Sequence, residues 1–521
     1  MKITLPPIAL LLALLAMPGA FCQTGSPYER ADWATPASPI DTKVLAKLTE
    51  RGIKPANPCS DEVFLRRVYI DMIGTLPKPE EVRAFLTDRR PDKRAQVIEG
   101  LFQRDEFADY WAMKWCDILR VKSEFPINLW PNAVQAYHRW IRDAVRDNKP
   151  YDQMARELLT SSGSNFRVAP VNFYRAVQGR TPAAMADAVA LTFMGTRADK
   201  WPEARRKAMA AFFSRISFKK TDEWKEEIVQ LDPAPAAALQ ATFPDGTVAH
   251  IAADADPRLV FADWLLAPSN QWFARSVVNR VWAWVMGRGI IHEPDDIRPD
   301  NPPANPEVLA YLEKELVSSH YDLRHIFRLI LNSRTYQQSS IPQSTSKDAE
   351  ALFAQYPVRR LDAEVLIDAL CWLGGDGEHY ESPIPEPFTF IPEYHRTISL
   401  PDASITSSFL EMFGRPSRDT GLESERNNQP TDAQRLYLLN SSDVQRRLER
   451  SPKLRALEAW AKWNHQTIAQ GLYVMVLSRM PTAAELTATE AYYTKAGLQV
   501  HEATVDLAWA LVNSKEFLYR H

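Results

Sequence analysis

Apolar residues recur at three- and four-residue steps along most of this chain, the spacing that gathers them on one face of an α-helix. The pattern predicts helices over 42–51, 61–73, 79–87, 92–102, 106–120, 130–147, 151–160, 182–193 and 203–213. Several have start signals. Leu76-Pro77-Lys78-Pro79-Glu80-Glu81 places proline and then acids in a first turn, and Thr482-Ala483-Ala484-Glu485 is a capping box, in which hydroxyl and carboxylate each satisfy an orphan backbone donor. The periodicity breaks after Ile216. There, short β-prone runs and the Asp245-Gly246 pair predict a small hairpin. Helices resume over 257–266, 272–286, 306–318, 323–331, 362–373, 405–412, 432–439, 463–477, 483–496 and 504–513, interrupted by two long loops at 374–401 and 413–430. The expected fold is mainly α: two helical domains, 39–216 and 257–521, joined by a short β-containing segment over 217–256.

At 521 residues the chain exceeds what one hydrophobic core commonly organises, which favours two domains or one elongated helical body. The formal net charge of -3 argues against a nucleic-acid partner, because such proteins carry a basic excess to neutralise phosphates. The first residues change the picture more. Met1-Lys2, the apolar run Ile8 to Met17 and Pro18-Gly19-Ala20-Phe21-Cys22 follow the order of a secretory signal peptide. Cleavage after Cys22 is expected, followed by a flexible segment over 23–38. The alternatives are lipidation of Cys22, disfavoured by the bulky Phe21 before it, and an uncleaved anchor. No later segment is apolar enough to span a membrane, so the expected location is periplasmic or extracellular. Cys59, Cys116 and Cys371 are widely spaced, and buried free thiols are expected, with a Cys59 to Cys116 bridge as the alternative.

The candidate chemistry is concentrated in the loop 413–430. Its arginines, carboxylates and asparagines are too polar for a helix core and too rich in charge for a linker, so something must hold them. Arg415, Arg418, Arg426 and Asn427 are candidate binding or clamping residues. Glu423 and Glu425 are candidate acid and base for a hydrolase, since glycoside cleavage needs two carboxyl groups flanking one bond. The neighbouring guanidinium groups favour the clamp, because carboxylates forked by arginine stay ionised. Arg275, Asn279 and Trp282 fall on one helical face at steps of four and three and could together hold a carboxylate, a sulfate or a sugar ring. Against that, the tryptophans of this run suit a core, with Arg275 bracing a neighbour. No nucleophile elbow, phosphate-cradling glycine loop or zinc-protease helix occurs, and no metal site or cofactor is expected. His379 and His395, near Glu378, Glu381, Glu386 and Glu393, read as part of a solvated acidic loop.

With these segments in hand, the chain resembles the exported proteins of planctomycetes and related bacteria that pair two domains of unknown function, those numbered 1549 and 1553. Phe64 to Pro77 and Trp111 to Arg120 resemble blocks of the first. Arg275 to Trp282, Gly287-Arg288-Gly289, Asn332 to Gln337 and Leu436 to Ser441 resemble blocks of the second. Many such proteins carry a Cys-x-x-Cys-His haem-attachment motif after a Phe-x-Gly block. Here Phe193-Met194-Gly195 runs into Thr196-Arg197-Ala198-Asp199-Lys200, without thiols or histidine, so no covalent haem is expected. The resemblance carries no established activity. Its association with polysaccharide and sulfatase systems implies a role in handling complex glycans. The reading favoured is an exported binding or accessory component in glycan utilisation or envelope organisation, partnered by a glycan or another exported envelope protein. A hydrolase acting on a glycan or ester through the loop carboxylates, and a purely structural scaffold, are the alternatives.

Overall fold

The computed structural model describes residues 26–521 except 235–236, 393 and 496. The leader, Cys22 and the cleavage point lie outside the described residues.

The chain is mainly helical, and several of its helices begin where side chains satisfy orphan amides. Ser38 and Asp41 form a reciprocal capping box ahead of helix Pro39–Glu50. Ser60 caps Asp61–Ile73, Thr181 caps Pro182–Met194 and Asn305 caps Pro306–Ser318. Gly74 and Gly195 end two of these in the left-handed conformation, where glycine avoids a Cβ clash. Between Leu439 and Trp463, where no helix was expected, Ser442–Glu449 and Pro452–Trp460 form two. Both are short, and the first is so charged that its periodicity shows only through Val444 and Leu448. The helix expected over 405–412 is limited to Ser408–Met412.

The segment after Ile216 forms two small antiparallel sheets. Strand Glu227–Leu231 lies between Ile216–Lys220 and the short Gly163–Ser164. Leu239–Thr242 pairs with Val248–Ile251, and Asp245-Gly246 forms its turn, with the Asp245 carboxylate accepting from the Thr247 amide at 2.8 Å. A third pair, Arg359–Arg360 with Tyr519–Arg520, brings the end of the sequence back to its middle.

The core runs across the expected domain boundary. Trp111 and Trp115 of helix Asp105–Ile118 lie 5.5 and 5.3 Å from Trp284 of helix Phe273–Met286, and Trp111 lies 4.4 Å from Phe327. Tyr151 stacks on Phe273 at 4.9 Å. These ring contacts pack helices of the two halves against each other. The stretch 23–38, expected to be flexible, is tied down over its described part. The Ser60 amide donates to Tyr28 O, the Arg30 amide to Pro58 O, and Arg334 lies over the Trp33 ring. Cys59, Cys116 and Cys371 are buried free thiols, so the Cys59 to Cys116 bridge does not form.

Candidate functional site

The loop 413–430 closes on itself at a narrow neck, where the Asn427 amide donates to Gly414 O at 3.1 Å. Gly414 has φ 86°, and a Cβ there would stand 1.8 Å from Asn427 O, so both conformation and space demand glycine.

From this neck the arginines turn inward. Arg418, 1 % exposed, donates to Asp117 Oδ1 at 2.9 Å and to Pro401 O at 3.0 Å. Arg426 grips two acids from opposite halves of the molecule, Asp117 Oδ2 at 2.7 Å and both Glu364 oxygens at 2.6 and 3.0 Å. Such forked contacts are the strong class of ion pair. Arg415 donates to the carbonyls of Asp402 and Ile405 and lies 3.6 Å from Glu364. Burial, with Arg418 close by, pulls the Arg415 pKa down to about 10. Arg426 is driven the other way: burial opposes its charge, but Asp117, Glu364 and Asp362 together hold it firmly protonated.

Asn428 extends the network to Asp362, which also takes Lys114 at 2.9 Å, Arg520 at 2.6 Å and the Tyr110 hydroxyl at 2.8 Å. Burial would raise the Asp362 pKa, but Lys114, Arg520 and Arg426 keep it well below the usual carboxylate range. Arg520 reaches on to Asp71, which accepts from the hydroxyls of Tyr336 and Tyr356, both at 2.9 Å, and from Arg359 at 3.1 Å. Buried charges persist only when paired and hydrogen-bonded in this way.

The two candidate catalytic carboxylates are separated by their surroundings. Glu425 accepts from the Ser417 and Thr420 hydroxyls at 2.6 Å each and from the Asp419 and Thr420 amides at 2.9 and 3.0 Å. Burial raises its pKa, but these hydrogen bonds outweigh that and hold it ionised. Glu423 is pushed up by burial and by the like charge of Asp295, whose Oδ2 accepts from the Glu423 amide at 2.6 Å. Asn427 serves the backbone: its side chain accepts from the Gln429 amide and its carbonyl from Arg360.

The face Arg275, Asn279 and Trp282 is not open to a ligand. Asn279 and Trp282 are fully buried, because the helix carrying them packs on several sides. The Asn279 side chain both donates to and accepts from Ile291 at 2.9 and 2.8 Å, and Trp282 meets Phe353 edge-on at 5.0 Å. Arg275 pairs with Glu313 at 2.7 Å. Arg280, which the sequence reading passed over, is the deeply buried cation of this helix and pairs with Asp295 at 2.6 Å.

The inner partners of the loop were not singled out from sequence. Lys114 and Asp117 are charges inside the otherwise apolar stretch Tyr110–Ile118, a signal visible in the sequence. Asp362 and Glu364 look like ordinary helix-start acids, and Arg520 has no local signature at all.

A cleft of about 420 Å³ is lined by other residues of both halves. Thr75, Lys78 and Arg104 line it from the first half, and Trp372, Asp376, Glu378, Tyr394, His395 and Lys453 from the second. Arg447 secures Asp376 at 2.7 Å and Glu378 at 2.8 Å, while burial pushes both carboxyls above their usual range. Tyr394 is 62 % exposed, and Lys453 lies over the Trp372 ring at 5.0 Å.

Residues 39–217 match the family model PSCyt2, a protein of unknown function (DUF1549), and residues 257–493 match PSD1, a protein of unknown function (DUF1553). No curated protein and no solved structure matches.

Proposed function

The chain belongs to the proteins that pair a PSCyt2 domain with a PSD1 domain, and on that footing we propose that it is an exported binding or accessory component that handles complex glycans. The observation that carries this reading is the direction of the loop arginines. Arg415, Arg418 and Arg426 are spent on Asp117, Glu364 and backbone carbonyls, so the loop clamps the two halves together and keeps no guanidinium free for a substrate. A surface open to a ligand is the cleft of about 420 Å³, whose ring faces, ammonium groups and carboxyls suit the mixed apolar and hydroxylated surface of a sugar. The test is affinity electrophoresis of the mature protein through gels containing soluble neutral or sulfated polysaccharides. Retardation by at least one, without release of reducing ends, is the expected result. Unchanged mobility in every gel would end this reading.

One observation favours hydrolysis instead. Glu423 has its carboxyl pushed up beside Asp295, the kind of split environment that separates an acid from a base. If it acts as the acid, reducing-end release should be measurable and Glu423→Gln should abolish it with the melting temperature unchanged.

A further inference from the structure

The cleft of about 420 Å³ falls in the size range of ligand sites, about 300–1,000 Å³, and its charges do not cancel within the protein. Four carboxyls line it, and each is already engaged. Glu106 takes Arg104 at 2.6 Å, and Asp368 accepts from the Thr397 amide at 2.7 Å with Arg396 at 3.5 Å. Asp376 and Glu378 share Arg447, at 2.7 and 2.8 Å. The guanidinium groups on the wall are matched too. Arg104 also pairs with Glu81 at 2.7 Å, and Arg396 donates to the Thr75 hydroxyl at 3.0 Å.

Two lysines remain. The ammonium groups of Lys78 and Lys453 donate to no acceptor and pair with no acid among the described residues. They enter from opposite halves, Lys78 just before helix Pro79–Thr87 and Lys453 in the first turn of helix Pro452–Trp460. Both can be reached. Lys78 is exposed, and Lys453 Nζ would stand 4.0 Å from a Cβ on Gly375, an exposed residue of the cleft wall. The Trp372 ring, 5.0 Å from Lys453 Nζ, holds the ammonium from one side and leaves N–H groups for another partner. Burial lowers the Lys453 pKa against the pull of Asp376, the mark of an ammonium short of both water and counterion.

Paired acids beside two spare ammonium groups fit a ligand that brings negative oxygens of its own. The exposed Tyr394 ring on the same wall adds an apolar face. We propose that this cleft selects an anionic glycan, with one carboxylate or sulfate group of the polymer on the Lys453 ammonium and another on that of Lys78. This rests on the glycan-binding reading above and names the class of glycan.

The test is affinity electrophoresis of the mature protein, at low and high salt, through gels containing polygalacturonate, dextran sulfate or uncharged dextran. The chain's formal net charge is -3, so attraction to a polyanion does not come from overall charge. Retardation by one or both charged polymers, weakening with salt, is expected, and the two gels separate a carboxylate ligand from a sulfate one. Lys453→Gln should raise the apparent dissociation constant about tenfold with the melting temperature nearly unchanged. Lys220→Gln, at an exposed position that does not line the cleft, should bind like the parent. Should Lys453→Gln fail to fold, the exposed Lys78→Gln decides in the same way. Parent-like retention of that variant, an equal loss in Lys220→Gln, or retardation as strong by uncharged polymers would overturn the anionic class and leave the glycan reading standing. Unchanged mobility in every gel of both tests would end both.

Discussion

Arg426 shows most directly what the loop is for. Its side chain is 6 % exposed and satisfies Asp117 and Glu364 at once. Replacing it by alanine leaves Glu364 with only Arg415 at 3.6 Å, and an uncompensated buried charge costs about 3–5 kcal/mol. Arg426→Ala should therefore lower the urea midpoint substantially. Arg435→Ala, which removes an exposed pair with Asp432, should leave it nearly unchanged. A similar midpoint for both variants would mean that the network contributes little to the fold. Gly414 belongs to the same argument. Gly414→Ala adds about 1–2 kcal/mol of left-handed strain before any displacement of Asn427, so its melting temperature should fall even though no charge is touched.

Among the elements, those with local causes were legible in the sequence. The helices Asp61–Ile73 and Pro79–Thr87 follow from an apolar face and from proline and acids at a start, and the hairpin turn follows from Asp245-Gly246. Ser442–Glu449 was hidden because its charges are recruited by distant partners: Arg447 reaches Asp376 and Glu378 on another segment. The site was legible to the same extent. The loop announced itself by composition, but Lys114, Asp362 and Arg520 acquire meaning only when folding brings them together. The small sheets carry a prediction of their own. The turn Asp222–Trp224 is exposed, whereas Val229 beside it is buried in the ladder. Limited proteolysis should thus cut first within 217–256, and the two fragments should stay associated through the shared tryptophan core. Fragments that separate on a sizing column under native conditions would contradict that core.

Across the whole molecule, burial governs the response to pH. Burial, with Arg418 close by, lowers the His138 pKa to about 3, and burial with Arg66 lowers that of His521 to about 4. Both lie below the unfolded value of about 6.5, so the stability these groups contribute is present above that pH and is lost as pH falls. Between about 6.5 and 4 the unfolded chain takes up protons at both sites while the folded chain resists. His138 alone should cost roughly 1.4 kcal/mol per pH unit across this window. Urea midpoints measured at pH 7, 6 and 5 should fall steadily, and His138→Gln should flatten the decline. An unchanged slope in that variant would mean that His138 is already charged in the fold.

The pairing of Tyr519–Arg520 with Arg359–Arg360 bears on how such a chain can be made. Asp71 receives Arg520 across a separation of 449 residues, and Asp362 receives the same side chain across 158. Synthesis runs from the amino end, so Asp71 is made long before Arg359 and Arg520, the two cations that pair with it. Contacts of such range also slow folding, because the closure entropy must be met before the contact forms. The network around Asp71 and Asp362 therefore closes only once Arg520 is in place, and until then each of these acids lacks one of its cations.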